Sequence, residues 1–110
     1  MLLQTALQYL KNQGCQSIGL LTGEEKTTDL QEIIPDPRRR AYRNFCIEEG
    51  IYDANLILTG NFSAQSGYEL IKAKIETKEK LPDAFFAASD SLAIGALKAF
   101  KKLASLFQIR

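Results

Sequence analysis

The sequence predicts an α/β domain of three layers, αβα, with helices over both faces of a small parallel sheet of about three strands. Three observations carry that expectation. Segments of helical period alternate with short apolar runs in the order αβαβαβα. The apolar runs are continuous, the pattern of strands covered on both faces. Finally, LPDAFFAASDSLAIGALKAF (81–100) places the polar pair Ser89-Asp90 on the hinge between a buried strand and a helix. Open α/β sheets hold their ligands there, outside the carboxyl ends of the strands.

Leu3, Ala6, Leu7 and Leu10 repeat at helical spacing, and Gly14 stands where a helix exits. Ser17-Ile18-Gly19-Leu20-Leu21-Thr22 reads as a buried strand, followed by a polar, acidic connection from Gly23 to Ile34. Asp36-Pro37 is a helix start, with Asp as cap and Pro at the first helical position. That helix gathers Ala41, Tyr42, Phe45 and Cys46 on one face and stops at Gly50. Asn55 to Thr59, with Leu56-Ile57-Leu58, is a second fully buried strand candidate. Ser63 caps a third helix, whose apolar stripe is Ala64, Gly67, Tyr68, Ile71 and Ile75. Ala84 to Ala88 supplies the third strand, and a fourth helix runs from about Ser91 to Leu103. Right-handed crossovers favour the Ile18 strand at the centre, flanked by the Leu56 and Phe85 strands. A ligand would then meet the loop after Thr22 and the Ser89-Asp90 pair.

Composition narrows the function. With 110 residues, 45% of them apolar, one modest core is available. Fourteen basic and 13 acidic residues leave a net charge of +1, which argues against this chain gripping a phosphate backbone by itself. There is no histidine, and Cys15 and Cys46 lie far apart in sequence, so neither a zinc site nor a histidine-based nucleophilic triad is available. No other cofactor is implied, and without a clustered carboxylate pair an enzyme is not expected. The two thiols read as reduced, although they could pair if the fold brought them together. No apolar run approaches a membrane span, and no basic region precedes an apolar core at the N-terminus. Gly23-Glu24-Glu25-Lys26-Thr27-Thr28 lacks the earlier glycine and the Gly-Lys-Thr order of a phosphate-binding loop.

Four places could carry recognition. Arg38, Arg39 and Arg40 occupy the first turn of the second helix, where each is disfavoured by the helix dipole by roughly 0.3–1 kcal/mol when exposed. They are either solvated, or paired with Asp29, Glu32 or Asp36, or one of them points into the cleft to hold ligand hydroxyls with its fork of donors. Phe62, in TGNFSAQSGY, is either a satellite core residue or a ring that stacks on a sugar or a planar base. Ser89 and Asp90 are good helix caps, and one can cap while the other faces a ligand. The fourth helix, LAIGALKAF from Leu92 to Phe100, is apolar around most of its circumference. One side covers the sheet, and nothing else in the chain is evidently large enough to cover the rest. Leu92, Ala93, Gly95, Ala96 and Phe100 are therefore expected at a subunit or domain interface, with Ala93, Gly95, Ala96 and Ala99 admitting another backbone closely. The other possibility is that the tail from Leu103 to Ile109 folds back over the helix.

Taken together, these segments resemble the lactose/galactose repressor family of bacterial transcription regulators, over roughly Leu3 to Phe100. The opening helix, Gly14 and the Ile18 strand resemble the family's L-x-x-x-G-x-x-x-I-x-x-L run. Arg38-Arg39-Arg40-Ala41-Tyr42 resembles its R-x-x-G-aromatic motif, which places the effector-binding arginine at Arg38. GNFSAQSGY resembles a segment whose aromatic lies against the effector, here Phe62. ASDSLAIGA resembles N-D-x-x-A-x-G-A, whose first position touches the ligand, here Ser89 beside Asp90. Cys15, Ala41 and Ser89 replace a family histidine, glycine and asparagine, and KKLASLFQIR departs from the family's Gly-x-x-x-Pro exit.

The resemblance implies half of a periplasmic-binding-protein type I fold: one lobe of a sugar-effector cleft and part of a dimer face in a cytoplasmic regulator. The DNA-reading helix-turn-helix, the hinge helix, the other lobe and a later effector-contacting aspartate have no counterpart in these 110 residues. DNA would be bound only through that absent N-terminal domain, and the chain alone is expected to bind neither operator nor sugar usefully. Effector bridging two lobes would shift the population of lobe arrangements. The rival is a lobe of a periplasmic sugar-binding protein that serves a transporter.

Overall fold

The computed structural model describes residues 2–24 and 37–107, with side chains from 3 to 24 and from 37 to 103. The connection expected from Gly23 to Ile34, the Asp36 cap and the end of the tail lie outside these residues beyond Glu24. The described elements are α1 (Leu2–Asn12), β1 (Ile18–Gly23), α2 (Pro37–Glu48), a 3-10 turn (Ala54–Leu56), β2 (Ile57–Gly60), α3 (Ala64–Glu76), β3 (Ala84–Ala87) and α4 (Asp90–Phe107). Helix exits fall at glycines in the left-handed region, Gly14 at φ 96° and Gly50 at φ 72°.

All pairings are parallel and the strand order is β2-β1-β3, the arrangement expected with the Ile18 strand at the centre. Leu21 pairs with Leu58 on one side and Ala87 on the other. The ladders continue past the strands, with Glu24 N donating to the Gly60 carbonyl at 2.9 Å and Ala88 N to the Leu21 carbonyl at 2.8 Å. At the opposite end the Asp83 carboxylate accepts from the amides of Gln16 (2.8 Å) and Ser17 (3.3 Å). Asp83 N donates in return to Ser17, stapling the base of β3 to that of β1.

Successive residues of each strand face opposite layers. Ile18 and Leu20 of β1 pack with Leu3 and Leu7 of α1 and with Tyr42, Phe45 and Cys46 of α2. Leu21 packs with Ile71 and Ile75 of α3 and with Leu92, Ala96, Ala99 and Leu103 of α4. The edge strands alternate likewise, Ile57 and Phe86 on the α1/α2 side and Leu58, Phe85 and Ala87 on the other. Only β1 is buried throughout; β2 and β3 are half-buried because each has one neighbour, a correction to the fully buried strands expected there. The second strand also starts later than expected, at Ile57. Asp53 accepts from Asn55 N through its carboxylate at 2.9 Å and from Leu56 N through its carbonyl at 3.0 Å, which curls residues 54–56 into the 3-10 turn.

Helix α4 requires the larger correction. The backbone that its small residues admit is that of α3 in the same chain. A Cβ on Gly95 would lie 1.9 Å from the Ala64 carbonyl oxygen, and one on Gly67 would lie 2.4 Å from that of Leu92. Each helix thus offers its glycine to the other's main chain. Leu92, Gly95 and Ala96, expected at an interface between subunits or domains, are buried by this contact and by the sheet. What α4 leaves outside is Ile94, 51% exposed, and Leu97, 63% exposed, with Ala93 and Phe100 half-buried beside them.

Candidate effector site

Three chain segments meet at the carboxyl edge of the sheet, and Arg38 joins two of them. It lies in the first turn of α2, which Pro37 opens. Its guanidinium donates to the carbonyl of Ala88, the residue after β3, and lies over the Phe62 ring with 5.4 Å from Cζ to the centroid. Phe62 follows β2, so the arginine spans the central strand from one neighbour to the other. A cation over an aromatic face contributes about 0.5–1 kcal/mol when exposed, and the fixed fork of a guanidinium lets it serve ring and carbonyl together.

Ser89 is next to the carbonyl that Arg38 holds. Its hydroxyl accepts from Leu92 N at 3.2 Å and so caps α4, while Asp90 is the first helical residue and is exposed. Between the two, Ser89 therefore does the capping, which leaves the exposed Asp90 carboxylate uninvolved in that cap. Arg39 forms an exposed ion pair with Glu24 at 3.7 Å, a partner other than the acidic residues considered from sequence. Such a pair adds little to stability, roughly 0–1 kcal/mol, but it sets the start of α2 beside the end of β1. Thr22, at the end of β1, is buried. A polar groove of about 600 Å³ lined by Glu24, Gly60, Asn61, Ser63, Gln65, Ser66 and Glu69 lies along the same edge.

Sequence reasoning named Arg38, Phe62 and Ser89 and missed what holds them. The Ala88 carbonyl as the arginine's acceptor carries no side-chain signal. The Asn61-x-Ser63 spacing, by contrast, is a readable sign of a side chain closing its own turn. Beneath the rim, Tyr42 donates to the Ile18 carbonyl from α2, fixing the helix that carries Arg38 to the central strand. Burial raises the Tyr42 phenol above its ordinary range and raises the neighbouring Cys46 thiol. Cys15 and Cys46 are both free. Among the described residues no group of three or more metal-ligating side chains occurs, and no helix is long and apolar enough to cross a membrane.

A three-stranded parallel sheet between helices, with Arg38, Phe62 and Ser89 gathered at its carboxyl edge, has the architecture of one lobe of a periplasmic-binding-protein-like fold. The chain belongs to the periplasmic binding protein-like domain family, matching it over residues 7–104. Its similarity to the HTH-type transcriptional regulator GalR of Streptococcus thermophilus is 66% identity over 99 residues, covering 90% of this chain and 30% of that protein. The HTH-type transcriptional repressor MelR of Bacillus subtilis is 36% identical over 103 residues, covering 88% of the chain and 28% of that protein. Among solved structures, a sugar-binding transcriptional regulator of the LacI family from Escherichia coli, complexed with phosphate, superposes with a TM-score of 0.71 at 33% identity. The match covers 89% of this chain and 34% of that one. The Escherichia coli transcriptional repressor AscG matches with a TM-score of 0.69 at 30% identity, over 89% of this chain and 34% of its own. These relatives are regulators and not enzymes, in line with the lactose/galactose repressor resemblance. The chain spans about a third or less of their length.

Proposed function

We propose that this chain forms one wall of a sugar-effector site in a bacterial transcriptional regulator. The observation that carries the reading is the placement of Arg38 between the Ala88 carbonyl and the Phe62 ring, beside Ser89. An arginine fork next to an aromatic face is the pairing that a sugar needs, with hydroxyls for the first and an apolar C–H face for the second. Ser89 and Asp90 fix the ligand's orientation from the head of α4. A structural neighbour described as sugar-binding supports the ligand class. The regulator names of the relatives favour this reading over the periplasmic transport lobe, and with it a cytoplasmic location. DNA contact belongs to segments of a regulator outside these 110 residues, and Ile94 and Leu97 of α4 supply the dimer face.

The test is calorimetric titration of a sugar into an intact regulator carrying this segment. Arg38→Ala and Phe62→Ala each weaken binding by about tenfold or more, ~1.4 kcal/mol, while the isolated chain shows no micromolar binding. Wild-type affinity in both variants refutes the assignment, as does micromolar binding by the isolated chain.

A further inference from the structure

The turn between β2 and α3 holds more hydrogen bonds than capping a helix requires. Ser63 satisfies the cap alone, its hydroxyl accepting from Ser66 N at 3.1 Å. Three further bonds reach across Phe62. Asn61 Oδ1 accepts from Ser63 N at 3.0 Å and from Ser63 Oγ, and Asn61 N donates to Ser66 Oγ at 2.9 Å. An asparagine that bonds the chain two residues on closes an Asx turn and limits the backbone between. Phe62 is the residue between.

The turn is also seated on the central strand. A Cβ on Gly23 would lie 2.7 Å from the Asn61 carbonyl carbon, so the two backbones touch where only glycine fits. Glu24 N donates to the Gly60 carbonyl one residue earlier. The backbone under Phe62 is thus held from the β1 side and from the α3 side, and the ring it carries lies beneath Arg38.

We propose that Asn61 is a positioning residue for effector recognition, its side chain setting the Phe62 ring against Arg38 through the two bonds to Ser63. Its role in recognition rests on the effector-site reading, while the placement of the ring does not. The two contacts to Ser63 require an acceptor at the side chain's Oδ1, which aspartate retains and alanine lacks, while the main-chain bond to Ser66 survives either change.

The experiment is a proton–nitrogen NMR spectrum of this chain recorded with no sugar present. The Arg38 Nε–H signal, which the ring shifts upfield, is read against Phe62→Leu as the ring-free reference. Asn61→Ala is expected to move that signal to the Phe62→Leu position, and Asn61→Asp to restore it. Asn61→Leu, which is close to asparagine in size and likewise lacks the acceptor, moves the signal in the same direction and serves should Asn61→Ala fail to fold. A wild-type Arg38 signal in a folded Asn61→Ala or Asn61→Leu overturns the proposal, and so does failure of Asn61→Asp to rescue. Because no sugar enters the measurement, a failure of the effector-site reading is told apart from a failure of this one.

Discussion

The two faces of the sheet are built by different means. On the α1/α2 face, large side chains fill the space: Leu7 and Tyr42 are fully buried there, with Phe45 beside them. On the α3/α4 face, two helices lie backbone against backbone at Gly67 and Gly95, and much of the core is alanine. Both faces are stabilised by what their side chains occupy, Ile71 and Leu92 among them on the second, but the second depends in addition on what its residues leave out between α3 and α4. Removal should therefore damage either face, while addition between the helices should damage the second.

The largest effect is expected from Leu7→Ala, which empties a fully buried site and costs about 2–5 kcal/mol in a denaturant titration. A loss below about 1 kcal/mol would mean that α1 is not part of the cooperative core. Next comes Gly95→Ala. Alanine favours an isolated helix by about 1 kcal/mol over glycine, yet its methyl would meet the Ala64 carbonyl, so destabilisation of ~1–3 kcal/mol is expected. Stabilisation would show that the two helices can part without cost and would dissolve the contrast.

Tyr42→Phe sharpens the comparison through a polar group on the side-chain face. Losing the donor to the Ile18 carbonyl costs about 1–3 kcal/mol. Burial raises the Tyr42 phenol and the Cys46 thiol in the folded state. The unfolded chain therefore releases these protons first, from about pH 8.5 for a thiol and about pH 10 for a phenol. Stability falls as pH rises through that range. Tyr42→Phe should flatten the phenol part of this alkaline decline and, because the Tyr42 hydroxyl holds the Cys46 thiol down against burial, deepen the thiol part; an unchanged profile would mean Tyr42 does not drive it. The smallest effect on folding is expected from Leu97→Glu, within about 0.5 kcal/mol because the side chain is exposed. If α4 is the dimer face, the same variant weakens self-association of an intact regulator in sedimentation, and unaltered association would remove Leu97 from that face.

The contrast also explains what the sequence revealed and what it withheld. The helices, the strands and the Ser63 cap were legible because each depends on local pattern: period-3.6 stripes, continuous apolar runs and a capping residue; strand order came from the limited ways parallel crossovers can connect them. Arg38, Phe62 and Ser89 were legible because motif spacing and position at strand ends single them out. The burial of Leu92, Gly95 and Ala96 was not. An apolar, small-residue helix declares that something packs closely against it, but the pattern is the same whether the partner is another molecule or α3 of the same chain. The 3-10 turn before β2 was hidden for a related reason, since Leu56-Ile57-Leu58 has strand composition and Asp53 overrides its first residue. The Arg38 acceptor is a main-chain carbonyl, invisible to any reading of side-chain types.

The glycine contact between α3 and α4 has a mechanical consequence. Ser89 caps α4 at the rim, and Ile94 and Leu97 stand five and eight residues further along the same helix, roughly 8 and 12 Å at 1.5 Å per residue. With the two main chains keyed together, α4 cannot bend locally between those points without dragging α3 along. The rim and the exposed Ile94 and Leu97 are thus carried on one continuous helix braced against a second.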